Sequence, residues 1–238
     1  MDLVYLVGED KHHDHLELRY SIRSMVKHLD KISNLIVVGE CPMFLKNVIH
    51  IPVPDAHKHN GARNIYEKIL AACNDPRVSK NFLSNSDDYF LNKDFAADSF
   101  PCFFDGDLEQ LNSKLGYDGG YKVYVENTLS VLKERKLSVL NFNVHAPMII
   151  NKERFSMIMP AFNWTIHKGY ISKSLYANAA GITGTPATDI KIYTPKTRTA
   201  LQRKLKDAPF YSTNEHAINE FMKDMLQELY PEKSKWEI

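Results

Sequence analysis

Short, nearly unbroken apolar runs separated by helical periodicity constrain this chain more than any other feature. Leu3-Val-Tyr-Leu-Val7 and Asn34-Leu-Ile-Val-Val-Gly39 are too short for helices and lack the polar alternation of a half-solvated strand. Such runs are what strands buried on both faces look like, the habit of parallel sheets covered by helices. Val48-Ile-His-Ile-Pro-Val53 and Asn81-Phe-Leu-Ser84 read as two further strands. Between them, Leu18, Ile22, Met25, Val26 and Leu29 recur at helical spacing, as do Ile65, Tyr66, Ile69 and Leu70. Asp14, with Glu17 three residues later, supplies a capping box for the first helix. Strand–helix alternation predicts right-handed crossovers and a mixed, mainly parallel α/β sheet flanked by helices.

The second half is less regular. Tyr121, Tyr124, Val125, Leu129 and Leu132 predict a helix, and Ser138 to His145 a strand stopped near Pro147. Ser174 to Thr188 holds no charged residue and reads as a loop. Ser212 and Glu215 form a capping box ahead of a last helix with Ala217, Phe221, Met222, Met225 and Leu229 on one face, closed by Pro231. With 238 residues and no repeat or linker, one domain over 1–238 is expected.

Thirty basic against 29 acidic residues give a net charge of +1, which removes the electrostatic argument for a general nucleic-acid or membrane-surface binder. Cys41, Cys73 and Cys102 cannot all pair within one chain and include no C-x-x-C, so reduced thiols are expected. The opening lacks the basic region of a secretory leader, and no stretch approaches the roughly 18 apolar residues of a transmembrane helix. A soluble, cytoplasmic protein is the expectation.

Three groups of residues carry chemistry. Asp87 and Asp88 follow an apolar strand, at the edge where open α/β sheets bind ligands. Paired carboxylates suit Mg²⁺ or Mn²⁺ shared with substrate phosphates; the alternative is a solvated turn. His15, Arg19, Arg23 and Lys27 form a cationic row at four-residue spacing. Paired arginines suit a diphosphate, and the alternative is a salt-bridged face. His145, leaving a strand, is either a general base for an acceptor hydroxyl or a hydrogen-bonded core histidine. The His12-His13-Asp14-His15 cluster matches no common zinc spacing and reads as surface. Neither G-x-G-x-x-G nor a Walker A sequence is present, so a dinucleotide or P-loop site lacks its phosphate cradle.

Glu17-Leu-Arg-Tyr-Ser-Ile-Arg-Ser24, Leu35-Ile-Val-Val-Gly39 and Asn85-Ser-Asp-Asp-Tyr-Phe-Leu91 resemble the second conserved region of the Stealth proteins. Asp2-Leu-Val-Tyr5 resembles that family's first region and Val144-His-Ala-Pro147 its third. Phe210-Tyr-Ser-Thr-Asn-Glu215 and Tyr230-Pro-Glu-Lys-Ser-Lys-Trp-Glu237 resemble its fourth. The family includes bacterial capsular polysaccharide phosphotransferases and the animal enzyme that transfers N-acetylglucosamine-1-phosphate.

The resemblance implies a GT-A-like nucleotide-sugar fold and a divalent metal. It makes residues 1–100 the donor-binding half and 101–238 the acceptor half with the closing helix. It carries over Asp87 and Asp88 as metal and donor site, Arg19 and Arg23 as phosphate contacts, and His145, Asp87 and Arg23 as catalytic residues. Gly8, Asp10, Glu67, Asn214 and Glu215 follow as substrate contacts, the last two near the metal. The expected activity is metal-dependent glycosyl transfer from a nucleotide sugar to a hydroxyl of a glycan or other polymer. Hexose-1-phosphate transfer and an inactive glycan-binding or nucleotide-sugar-binding module are the alternatives. A modified DNA base as acceptor is disfavoured by the near-zero net charge.

Overall fold

The apolar runs become the middle of a twisted sheet. The computed structural model describes residues 1–8, 15–116, 119–214 and 216–238. In chain order the first half comprises β1 (Asp2–Val7), α1 (Leu16–His28), β2 (Leu35–Gly39), β3 (Ile49–Ile51), α2 (Gly61–Asn74), β4 (Asn81–Ser86) and β5 (Tyr89–Leu91). Then follow β6 (Phe103–Phe104), α3 (Leu108–Lys114), α4 (Gly120–Glu134), β7 (Met148–Asn151), α5 (Lys152–Ile158) and α6 (Ser172–Ala179). The chain ends with β8 (Thr185–Pro186), β9 (Lys191–Ile192), α7 (Arg198–Leu205), β10 (Phe210–Thr213) and α8 (Glu220–Leu229).

The main sheet has the order β3-β2-β1-β4-β7, parallel except for β7. Leu3, Tyr5 and Val7 turn to α1, where they meet Leu18, Ile22 and Met25. Val4, Ile36, Val38 and Phe82 turn the other way, into a core with α2 and α4 to α6. Burial of both faces explains why these strands read as continuous apolar runs. A smaller sheet, β5-β10-β9, packs beneath α7 and α8, with Phe90 stacked on Tyr211 at 5.0 Å between ring centres. β4 and β5 are joined only by Asp87 and Asp88, so these carboxylates sit where the chain leaves one sheet for the other.

Four local expectations need correction. Residues 138–145 form no strand; Leu140 makes one isolated bridge with Asp107, and the strand begins only after Pro147. The backbone there is satisfied by loop and side-chain partners instead: Asn141 exchanges bonds with Asp105 and Gly106, and Leu140 with the Asn178 amide. Residues 174–179, the first part of the charge-free stretch, belong to a helix; α6 buries most of its residues, and its one charge, Lys173, is turned onto the Val144 and Ala146 carbonyls. Ser212 lies in β10, and α8 is capped by Asn219, whose side chain accepts from the Met222 amide at 3.2 Å. Lastly, α1 is capped at His15, in the left-handed region, without a side-chain bond, while Glu17 accepts from the Thr213 hydroxyl. Asp14, the other half of that expected capping box, lies outside the described residues, as do His12 and His13.

Gly39 ends β2 at φ 114°, and a Cβ there would lie 2.0 Å from the Val7 carbonyl oxygen. Only glycine lets β2 close against the end of β1, where the Lys68 ammonium also donates to that carbonyl at 2.9 Å. No helix among the described residues is long and apolar enough to cross a membrane.

Candidate active site

A cleft of about 1030 Å³ opens at the carboxyl ends of β1 and β4. Leu6 and Gly8 form its floor, the α2 N-terminal half (Gly61, Asn64, Ile65, Lys68) one wall, and Ser86, Asp87 and Asp88 its far edge. Glu17, Lys191, Thr213 and Asn214 close the side formed by α1 and the small sheet, and Asp55, His57 and Lys58 supply the rim after β3. Ile65 is 46% exposed despite its apolar periodicity because it faces this cleft.

Acidic and basic groups interleave around the cavity. Burial and the adjacent Asp87 charge push the Asp88 carboxyl up to about 7, against the pull of Lys191, whose Nζ lies 3.7 Å from Oδ2. Lys68 pairs with Asp55 at 2.7 Å beneath Gly8. A Cβ at Gly8 would come within 3.2 Å of Asp55, so that position keeps the floor open. Glu67 stands behind the wall: its carboxylate meets His57 Nε2 at 2.9 Å and accepts from Arg63 Nε at 2.9 Å, which orients a rim residue.

Among the expected site residues, Gly8, Asp87, Asp88 and Asn214 therefore line one cavity, and Glu67 acts on it through His57. Asp10 and Glu215 lie outside the described residues. The arginines are elsewhere. Arg23 grips Glu237 through Nε at 2.9 Å and Nη2 at 2.7 Å, and Arg19 reaches the same carboxylate at 3.2 Å while lying 4.0 Å over the Phe44 ring. Lys27 donates to the Leu229 carbonyl at 2.9 Å, and His15 Nε2 lies 3.4 Å from Glu40. The cationic row is thus a paired face that docks the C-terminal segment, and neither arginine lines the cleft.

His145 is held on several sides. Its backbone N–H donates to Asp189 Oδ1 at 3.0 Å, and Nδ1 lies 2.5 Å from Oδ2 of the same carboxylate. Nε2 is 3.4 Å from Lys191 Nζ, and the Tyr89 ring meets the imidazole edge-on at 5.4 Å. Burial works to raise the Asp189 carboxyl, but bonds and charge from His145 hold it below its ordinary value. Lys173 donates to the carbonyls on both sides of the histidine, those of Val144 and Ala146, and burial pushes its amine down to about 8. Asp189, Lys191 and Lys173 were missed in the sequence. The one available signal was that Asp189 and Lys191 are the first charges after the uncharged stretch.

A second, smaller cavity of about 290 Å³ shares Leu6, Gly61, Ile65 and Ser86 with the cleft. Tyr89, Tyr121, Tyr124 and Tyr170 line it, together with Asn143 and Lys173. His145 touches one lining residue of each cavity, Lys191 of the larger and Tyr89 of the smaller.

Hard oxygen donors at Asp87 and Asp88 suit Mg²⁺ or Mn²⁺. Two adjacent carboxylates, one pushed toward protonation by the other, would be relieved by a divalent cation. Among the described residues no group of three or more His, Cys, Asp or Glu side chains is gathered to hold an ion. The donor set therefore fits an ion that completes its shell with substrate phosphates and water, as Mg²⁺ commonly does.

A mainly parallel sheet between helices, with its cleft at the strand ends, makes this a GT-A-like fold. The chain aligns with the crystal structure of an active-site mutant of LgtC over 99% of its own length and 98% of that chain, with a TM-score of 0.50 and 10% identity. Mouse xyloside xylosyltransferase 1 in its apo form aligns over 90% and 98%, with a TM-score of 0.46 and 11% identity. The inositol-1-phosphate CTP transferase of T. maritima aligns over 98% and 97%, with a TM-score of 0.42 and 12% identity. Only the first supports a shared fold, and none at such identity speaks to substrate. No family model matches the chain, and no curated protein matches it.

Proposed function

We propose that this protein transfers a sugar from a nucleotide sugar to a hydroxyl acceptor. The observation that carries the reading is a pair of adjoining cavities, a charged one ending in Asp87-Asp88 and a tyrosine-lined one, which share Leu6, Gly61, Ile65 and Ser86. The larger has the volume and polarity for a nucleotide diphosphate. The smaller offers aromatic faces suited to the apolar face of a sugar ring.

In this mechanism Asp88, helped by Asp87, would hold the divalent ion, and Lys191 and Lys68 add positive charge to the same cleft. The ion, when bound, stabilises negative charge on the leaving diphosphate. His145 Nε2 takes the acceptor hydroxyl proton as the oxygen bonds to the anomeric carbon. The sugar–phosphate bond breaks with its electron pair on the nucleotide diphosphate. Asp189 then meets the positive charge of the imidazolium through Nδ1.

Hexose-1-phosphate transfer of the Stealth type is the second reading. It is favoured by the contact between Arg23 and Glu237, which joins two of the segments that resemble that family. The mass of the product separates the two, because only the second leaves phosphate on the acceptor. Calorimetry and turnover with a nucleotide-sugar panel, with and without Mn²⁺, test the proposal. Binding without turnover turns the protein into a binding module, and absence of both overturns the reading.

A further inference from the structure

Lys191 reaches Nε2 of His145 at 3.4 Å and Asp88 Oδ2 at 3.7 Å, so one ammonium stands between the histidine and the carboxylate edge of the cleft. An ammonium has hydrogens to give and no lone pair to receive one, so the ring nitrogen facing it must be the acceptor. A neutral imidazole carries a single N–H, which this leaves on Nδ1. There it points at Asp189 Oδ2, 2.5 Å away, a carboxylate that can only accept. Both contacts therefore select the same tautomer.

The frame around this pair is rigid. Asp189 Oδ1 is occupied by the His145 backbone N–H at 3.0 Å, and the Asp189 N–H donates to Asp105 Oδ2 at 3.1 Å. Lys173 ties down the carbonyls on either side of the histidine, and Tyr89 closes one edge of the ring. Asp189, Lys191, Lys173 and Tyr89 are the titratable groups found around the imidazole and its loop, and burial holds the Tyr89 phenol protonated.

We propose that Asp189 and Lys191 are positioning residues that hold His145 as its Nδ1–H tautomer, leaving the Nε2 lone pair on the Asp88 side of the ring. The geometry stands by itself; its use in proton transfer rests on the reading of His145 as general base. Lys191 has a second consequence. Because it is shared with Asp88, it shifts toward the diphosphate once a donor is bound, and Nε2 is then released to an acceptor hydroxyl. Asp189 stays in place and stabilises the imidazolium that results.

The test reads the ring directly, by long-range ¹H–¹⁵N correlation at pH 8, with the His145 signals assigned by their loss in His145→Gln. Wild type is expected to show a protonated Nδ1 and an unprotonated Nε2. Asp189→Asn keeps an oxygen for the backbone N–H and turns its NH2, a donor only, toward Nδ1, so the Nδ1–H tautomer should give way to Nε2–H. Its kcat should fall by roughly 10²-fold with donor KM little changed, and Asp189→Glu should recover part of the loss. Lys191→Met should retain Nδ1–H and shift the Nε2 resonance as its hydrogen bond disappears. A wild-type ring protonated at Nε2, or a ring unaltered in Asp189→Asn, overturns the inference. An unmoved Nε2 in Lys191→Met removes Lys191 from it. A correct tautomer in a protein that turns over no nucleotide sugar would instead overturn the functional reading and leave the ring assignment standing.

Discussion

Arg23 and Glu237, 214 positions apart in the chain, form a two-pronged ion pair with Nε–Oε1 at 2.9 Å and Nη2–Oε2 at 2.7 Å. The Glu237 side chain is fully enclosed, and it also accepts from the Ser234 N–H at 2.9 Å. The pair clamps the last residues of the chain onto α1, while Trp236 fills the adjoining core.

Removing one partner leaves a buried charge uncompensated, which typically costs about 3–5 kcal/mol. Arg23→Ala and Glu237→Gln should therefore melt earlier, with specific activity of the folded fraction retained. Normal melting with lost turnover would return Arg23 to the catalytic site. Burial works to raise the Glu237 carboxyl, but Arg23 holds it below its ordinary value. Its contribution is then complete above the ordinary carboxylate range and is lost as pH falls through the lowered value. Melts from pH 7 to pH 3 should show wild type losing more stability than Glu237→Gln.

Asp88→Asn should abolish transfer and weaken metal-dependent donor binding, with the melting temperature held. Titration of Mn²⁺ in the presence of donor checks this. Turnover and metal response matching wild type would refute the assignment.

His145→Gln should lower kcat by roughly 10²–10⁴-fold while donor affinity stays within a few-fold. Steady-state kinetics alongside melting curves decide it. A large drop in melting temperature with kcat preserved would make the histidine a packing residue.

Lys173→Met takes the donor from the Ala146 carbonyl, while the Val144 carbonyl keeps the Ala146 N–H, and should destabilise the fold by about 1–3 kcal/mol. The pH dependence has a definite sign. The Lys173 amine titrates near 8 in the fold, below its unfolded value, so the unfolded chain binds more protons between the two. Wild type should therefore gain stability relative to Lys173→Met from pH 8 to pH 10, as thermal melts at pH 7, 9 and 10 would show. A constant difference would mean the amine is solvated.

Gly39→Ala should destabilise by at least about 1–3 kcal/mol, because φ 114° is closed to alanine and its Cβ would meet the Val7 carbonyl. Denaturant unfolding measures it, and a wild-type midpoint would show that β1 and β2 can separate at that end.

The four parallel strands of the main sheet, the helices α1, α2 and α4, and one edge of the cleft were legible in the sequence alone. Strands buried on both faces must be apolar throughout, so Leu3–Val7 and Leu35–Gly39 declared themselves, and Asp87-Asp88 stood out as adjacent carboxylates after a strand. Periodicity failed where its physical basis was missing. α6 is enclosed on most sides and shows no amphipathic stripe, and residues 138–145 are a loop with a single isolated bridge, Asp107 to Leu140. Only the tertiary structure decided which charges work together. The row on α1 looked like a phosphate grip because Glu237, which pairs with Arg19 and Arg23, lies at the far end of the chain. Asp189 and Lys191 sit 44 and 46 residues beyond His145, and their meaning arises when the loop before β9 folds back against it. Local sequence records burial and spacing, whereas the pairing of distant charges depends on how the chain closes on itself.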